Sequence, residues 1–317
     1  MVQNLLLLLL AMVGLTLSAD RFVDGAAKLA ARVNISTVVV GALIIGFGTS
    51  APELVVSTVA TLTEGAEGTA LGIGNIVGAN VANLTLVLSV PVLAFGGVVI
   101  QRGVKRQAAL SAIGVTVFAL AAYFGQPSVL KGVGMALLMV VALGAVVRLG
   151  EGVDTGVTSD GGGGPGPWVW TFVGLVGTVG FAHLVVRAAT GIADQMGWTG
   201  GFVGFALVAL GTTQPELLTV LAAARRGESG LVFGNLLGSN LFNSLTVGSA
   251  VFLANGNKPH DEVARLPVGS LLVMVAVSWM VIALMRTGRR ISRGEAVILL
   301  GVYGVVLVWL AATGATA

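Results

Sequence analysis

Glu53 and Glu216 are the two side chains of this 317-residue chain whose type and setting point most directly to chemistry. Each sits in an apolar stretch, inside almost the same phrase. The first reads GFGTSAPEL (Gly46 to Leu54), followed by GNIVGANVANLTLV (Gly74 to Val87). The second reads ALGTTQPEL (Ala209 to Leu217), followed by GNLLGSNLFNSLTV (Gly234 to Val247). A carboxylate at bilayer depth costs roughly 2.5–3.5 kcal/mol on insertion scales, so it is read as functional by default. One such group could be a protonated hydrogen-bonding bystander. Two in matching repeats point to a cation site at the interface between the repeats.

The phrase around each glutamate is poor helix and good ligand. Gly48 loosens the backbone, and Pro52 removes an N–H and frees the carbonyl of Gly48; Gly211 and Pro215 repeat that relation. Freed carbonyls are tolerated in a membrane where they line a protein cavity. Hydroxyls of Thr49, Ser50, Thr212 and Thr213 lie within a turn of the glutamates. Carboxylate, carbonyl and hydroxyl together form the oxygen set that hard cations seek. The amides Asn75, Asn80, Asn83, Asn235, Asn240 and Asn243 are expected to point inward, because amides facing hydrocarbon would go unsatisfied. Asn83 and Asn243 are read as functional, Asn75 and Asn235 as helix bridges. Gly74/Gly78 and Gly234/Gly238 are small-xxx-small packing faces. Thr61, Thr63 and Thr219 are expected to bond back to helix carbonyls, and Asp20 and His183 to be ordinary interfacial residues.

The elements that must hold these groups are membrane spans. Residues are 56% hydrophobic and 10% charged, against roughly 25% charged in soluble domains. Apolar runs predict ten helices, near 2–19, 35–63, 70–95, 107–124, 128–148, 168–190, 199–224, 230–254, 267–286 and 294–313. The fold class is all-α, with broken helices carrying the GTSxPE-type motifs. The Gly-rich stretch 151–167 divides the chain into five-helix halves, 1–150 and 168–317, with core repeats near 35–95 and 199–254. An odd number of spans per half makes the halves inverted relative to each other. The repeat extends upstream, since ADRFVDGAAKLA aligns on AHLVVRAATGIA at an offset of 163, which becomes 160 after the first PEL motif. In this topology Lys131, Arg187, Lys258 and Arg265 fall on one side and the other 13 of 17 Lys and Arg on the opposite one. The positive-inside rule makes the richer side cytoplasmic and both termini extracytoplasmic. Met1 to Ser18 has no basic n-region and is read as the first span rather than a signal peptide.

Composition excludes several classes. Without cysteine there are no disulfides or thiolate metal sites. A net charge of +3, dispersed along the chain, does not indicate nucleic acid. No zinc-protease, nucleophile-dyad or nucleotide-loop pattern is present, so the chain is not expected to be an enzyme or to carry a cofactor.

The paired motifs make the chain resemble the sodium/calcium exchanger family of the calcium/cation antiporter superfamily, in a prokaryotic form. The resemblance covers essentially the full chain. It implies a ten-helix fold with inverted halves and the transported ions Ca²⁺ and Na⁺. Glu53 and Glu216 would be the central ligands of Ca²⁺ and would also serve Na⁺, with backbone carbonyls around Thr49 and Thr212. The carbonyl of Ala209 with Thr213 and Ser239 would form an outer Na⁺ site, and that of Gly46 with Ser50 an inner one. Asn83 and Asn243 would stand at the middle of the cluster. The chain departs from the family at Asn243, where many relatives have Asp, and at Ala79, where they have Ser. The counter-ion, Na⁺ or H⁺, is thus open.

The function expected is secondary antiport of Ca²⁺ for Na⁺ at a shared pair of carboxylates, by alternating access with rocking of the first and sixth helices. An H⁺-coupled Ca²⁺ antiporter is the nearest alternative, because buried glutamates could carry protons themselves. A passive cation channel is more remote, since the acidic pair lies within one chain. The protein is expected to act as a monomer in the lipid bilayer of a prokaryotic plasma membrane, with no nucleic-acid partner.

Overall fold

The computed structural model describes residues 2–33, 35–101, 103–150, 166–195, 212–256 and 268–314. Helix dominates. In chain order the elements are α1 (Val2–Val33), α2 (Thr37–Thr49), α3 (Ala51–Thr63), α4 (Gly68–Phe95), β1 (Val98–Val99), α5 (Val104–Tyr123) and α6 (Val129–Gly150). There follow α7 (Pro167–Gln195), α8 (Gln214–Arg225), α9 (Ser229–Asn255), α10 (Val268–Thr287), β2 (Arg290–Ile291) and α11 (Arg293–Gly314). Among the described residues six helices are long and apolar enough to cross a bilayer, and the bent pair α2–α3, with 41° between its arms, adds a seventh. The stretch 151–165, most of the expected linker, and residues 199–211 of the seventh expected helix lie outside the described residues.

α4 and α9 form the centre. Over their most apolar windows each is 78% buried, whereas α1 is 17% buried at the edge of the molecule. That protection from lipid lets the two amide-rich helices exist at bilayer depth. α2 crosses α9 at backbone contact. A methyl added to Gly41 would stand 2.9 Å from the Cα of Gly234, and one on Gly238 would stand 2.5 Å from the Cα of Ala42. The second GxxxG face is therefore a packing face, as its spacing predicts.

At the edge, α1 lies along α7 as the most extensive helix pair. It too is closed through glycines: a methyl on Gly25 would lie 2.5 Å from the Thr171 amide, and Gly174 faces the Phe22 backbone. Arg21 stacks 5.0 Å above the Trp170 ring. The expected end of the first helix near residue 19 is corrected: α1 runs 14 residues further, to Val33. The polar residues that looked like a stop are an ionic face. Asp20 pairs with Arg225 at 2.5 Å and Arg226 at 3.0 Å, and Asp24 pairs with Arg226 at 3.0 Å and Lys28 at 2.9 Å. This cluster ties α1 to the turn between α8 and α9.

Two further features depart from the expectation. The chain is not wholly α, because Val98–Val99 pairs antiparallel with Arg290–Ile291 in a minimal ribbon. The helix expected from residue 70 joins the preceding one through a sharp turn at Gly65, whose φ of 62° and ψ of −123° suit a residue without Cβ.

Candidate functional site

The two glutamates are brought to the centre by a shared backbone break. Ser50 (φ −85°, ψ 9°) separates α2 from α3, and Thr213 (φ −82°, ψ −3°) precedes α8, 163 residues later. In each case proline follows at the first turn, where its missing N–H costs nothing, and the glutamate comes next. Glu53 and Glu216 are both fully buried. Ser50, three residues before Glu53, donates to Glu216 at 3.0 Å, so the two breaks meet at the glutamates.

Glu216 has a dense oxygen environment. Its Oε1 accepts from Ser50 Oγ at 3.0 Å and has Ser239 Oγ at 3.4 Å. Ser239 Oγ also lies 3.0 Å from the Gly46 carbonyl and 3.3 Å from Asn235 Oδ1. One hydroxyl proton cannot satisfy three acceptors. The pocket is therefore rich in oxygen and short of protons, which is what a cation needs. Thr49 Oγ1 adds to it, 3.0 Å from the Ile45 carbonyl and 3.2 Å from Asn235 Oδ1. The resemblance groups Ser239 with Ala209 and Thr213. In the structure the Ser239 hydroxyl meets the Gly46 carbonyl and lies beside Glu216, which also accepts from Ser50. Ala209 itself lies outside the described residues.

Glu53 is different. Thr212 lies close enough to interact with its charge, yet neither carboxylate oxygen completes a hydrogen bond to a described residue. Glu216 Oε2, Asn83 Oδ1 and both polar atoms of Asn243 are likewise buried without partners. Orphaned buried polar atoms are rare and demand an explanation, an ion being one. Among the described residues no group of three His, Cys, Asp or Glu side chains stands close enough to hold a metal. The site has two carboxylates and otherwise neutral oxygens, a set that binds without trapping.

The central helices reach these positions through a device not visible in composition. α4 widens into a π-helical turn at Asn83–Val87, and α9 does the same at Asn243–Val247, 160 residues on. Both turns open on the asparagine singled out in the sequence. π-turns occur frequently at functional sites. A third, at Gly41–Gly46, ends on the carbonyl that meets Ser239. Three cross-helix bonds lock α4 to α9: Asn83 Nδ2 to Asn240 Oδ1 at 3.0 Å, Asn240 Nδ2 to the Asn80 carbonyl at 3.0 Å, and Asn80 Nδ2 to Ser244 Oγ at 2.9 Å. Asn75 and Asn235 bridge to Ser57 and Thr219 at 3.1 and 2.7 Å. Asn235 does more than its expected bridging, since its Oδ1 faces Thr49 and Ser239. The signal for this was present in the repeat, but an amide one turn before the serine reads first as packing. Thr61, Thr63 and Thr219 bond back to carbonyls four residues earlier, as expected.

Fold and site together define a multi-pass membrane protein with an acidic, amide-lined centre built from two like halves. The chain belongs to the sodium/calcium exchanger family: the sequence model described as "Sodium/calcium exchanger protein" matches residues 3–148 and again 166–312. It is 30% identical to the inner membrane protein YrbG of Escherichia coli (strain K12), over 95% of each chain. It is 27% identical to the sodium/calcium exchanger MaX1 of Methanosarcina acetivorans, over 97% of this chain and 98% of that one. Among solved structures, the sodium-calcium exchanger NCX_Mj soaked with 100 mM Na⁺ and 10 mM Sr²⁺ superimposes with a TM-score of 0.82 at 26% identity, over 97% and 98% of the two chains.

Proposed function

We propose that the protein is a secondary-active antiporter that exchanges Ca²⁺ for Na⁺ at one site shared by Glu53 and Glu216. The observation that carries this is the set of buried acceptor oxygens on Glu53, Glu216, Asn83 and Asn243 that find no partner among the described residues. With the hydroxyls of Ser50 and Ser239 and the Gly46 carbonyl, they supply a dehydrated cation with the oxygens it loses from water. Thr49, Thr212, Thr213 and the Ala209 carbonyl are proposed to complete the site as α2, the start of α8 and the segment before it converge.

Two formal charges neutralise one Ca²⁺ or two Na⁺. Because the same carboxylates serve both ions, neither can load fully beside the other, and that competition couples the fluxes. The exchange named in MaX1 and NCX_Mj supports this choice of ions. Alternating access is assigned to rocking of the α1–α7 pair against the core, in ten spans arranged as two inverted halves, 1–150 and 168–317. The separate family matches on the two halves and the recurrence of break and π-turn at fixed offsets support that architecture. The linker would then be cytoplasmic, both termini extracytoplasmic, and a monomer in the plasma membrane sufficient.

The test is ⁴⁵Ca²⁺ uptake into proteoliposomes. An outward Na⁺ gradient at clamped pH is expected to drive uptake, and Glu53→Gln or Glu216→Gln to abolish it. Uptake driven by a pH gradient without Na⁺ would establish H⁺ coupling instead, and passive uptake without a counter-ion a channel. Undiminished exchange in either variant would overturn the assignment.

A further inference from the structure

Four helix ends come together at one face of the molecule. α4 ends at Phe95 and α5 begins at Val104, while α10 ends at Thr287 and α11 begins at Arg293. The β1–β2 ribbon ties the two connections to each other, and the Ile100 N–H donates to the Arg289 carbonyl at 2.8 Å beside it. Arg286, Arg289, Arg290 and Arg293 fall within eight residues here, and all four are exposed. Among the described residues none of them is in an ion pair, whereas Arg225 and Arg226 are neutralised by Asp20 and Asp24. Glu295, the carboxylate of this connection, is already engaged. Its Oε2 accepts from the Ser292 N–H at 2.7 Å and from the Ser292 hydroxyl at 2.8 Å.

Between the two connections lies a cleft of about 610 Å³, lined by Val99 and by Thr287, Arg289, Arg290, Ser292 and Glu295. Its arginines are positioned by the backbone turn that ends α4. The stem of Arg290 crosses Gly97, where an added methyl would meet its Cδ at 3.5 Å, and Arg293 Nη2 lies 3.8 Å from a methyl built on Gly96. Guanidinium groups without a carboxylate partner suit phosphate oxygens, which they bind through paired N–H donors. The walls select the source of that phosphate. Phe95 and Val99 are large apolar side chains left exposed beside the arginines. The cleft also opens where the apolar helices α4, α5 and α10 end, the level at which a bilayer presents its headgroups. A free anion would use the charge and leave the apolar wall bare. We propose that this cleft binds the phosphate headgroup of an anionic glycerophospholipid, with an acyl chain lying along Phe95 and Val99. Because β1 comes from the first half of the chain and β2 from the second, a lipid held there touches both. The site is independent of which cations the protein exchanges.

The experiment uses the full-length protein in a neutral detergent and reads its unfolding midpoint and its native mass spectrum. Phosphatidylglycerol added to the micelles is expected to raise the midpoint by about 5 °C at saturation and to remain bound as a discrete adduct. Phosphatidylcholine and inorganic phosphate are expected to do neither. Arg290→Gln is expected to cut the phosphatidylglycerol shift to about a third. Arg148→Gln, which removes an exposed arginine at the end of α6 instead, is expected to keep it. Should Arg290→Gln fold poorly, Arg289→Gln supplies the same comparison. An unchanged shift in the cleft variant, or an equal loss in both variants, would reduce the effect to overall charge and overturn the site. An equal shift from inorganic phosphate would overturn the lipid as occupant, and one from phosphatidylcholine would overturn the role of its charge.

Discussion

Glu53, Glu216 and Asn243 would divide the electrostatic work of the proposed site unequally. In the proposed site the carboxylates carry the whole formal charge, and Asn243, whose polar atoms are both buried without a partner among the described residues, would contribute only dipoles. Converting that amide to a third carboxylate is the smallest change that tests the balance. Asn243→Asp is expected to lower the Ca²⁺ concentration for half-maximal uptake by on the order of tenfold, since affinity tracks ligand charge. It should also slow turnover, because a tighter ion leaves more slowly; a weaker apparent affinity would contradict this. Asn235 is a different case. Its amide holds Thr219 at 2.7 Å while its Oδ1 faces Thr49 and Ser239. Asn235→Ala is expected to cost about 1–3 kcal/mol by stranding buried hydroxyls, seen as a lower unfolding midpoint in detergent. It should also shift the Na⁺ dependence of uptake. A pure helix bridge would show the first effect without the second.

The crossing of α2 on α9 sets how closely the Gly46 carbonyl approaches Ser239. Gly238 has no room for a methyl against the Ala42 backbone. Gly238→Ala is therefore expected to force the helices apart, costing about 1–3 kcal/mol by overpacking. Na⁺-driven uptake should fall further than stability does, because Gly46 moves with the helix; normal uptake would show that the approach is not needed. The existence of these helices and their glycine faces was legible in the sequence, since apolar runs and four-residue spacing are strong signals. The π-turns at Asn83 and Asn243 were not. They depend on one hydrogen bond skipping a residue, and nothing in NLTLV or NSLTV distinguishes that from ordinary helix. The contact of Ser239 with the Gly46 carbonyl was also illegible, because the offsets between the repeats name counterparts but not which helices cross.

The molecule as a whole is a central α4–α9 pair flanked by smaller helices, with the α1–α7 panel on one edge. The duplication was legible because two motif pairs recur at offsets of 163 and 160. The length of α1 was not, because Asp20 and Asp24 look like an exit from the membrane until their partners Arg225 and Arg226 arrive from a turn some 200 residues away. The proposed topology can be checked cleanly, since the chain has no cysteine of its own. Single cysteines at Gly162 and near Gly314 should label from opposite sides of the membrane with an impermeant maleimide. Labelling from the same side would refute the inverted arrangement.

The widened turns at Asn83 and Asn243 have one more implication. Each amounts to a surplus residue absorbed without breaking the helix. Excising Leu84 or Ser244 would let the coil relax to its regular pitch, intact in hydrogen bonding and with both flanks keeping their orientation, but without the widened turn at the asparagine. The chain would then remain helical and membrane-embedded while its asparagine lost the local geometry that the proposed site relies on. In this protein the shortest possible deletion is a sharper probe of the ion-handling geometry than most side-chain replacements.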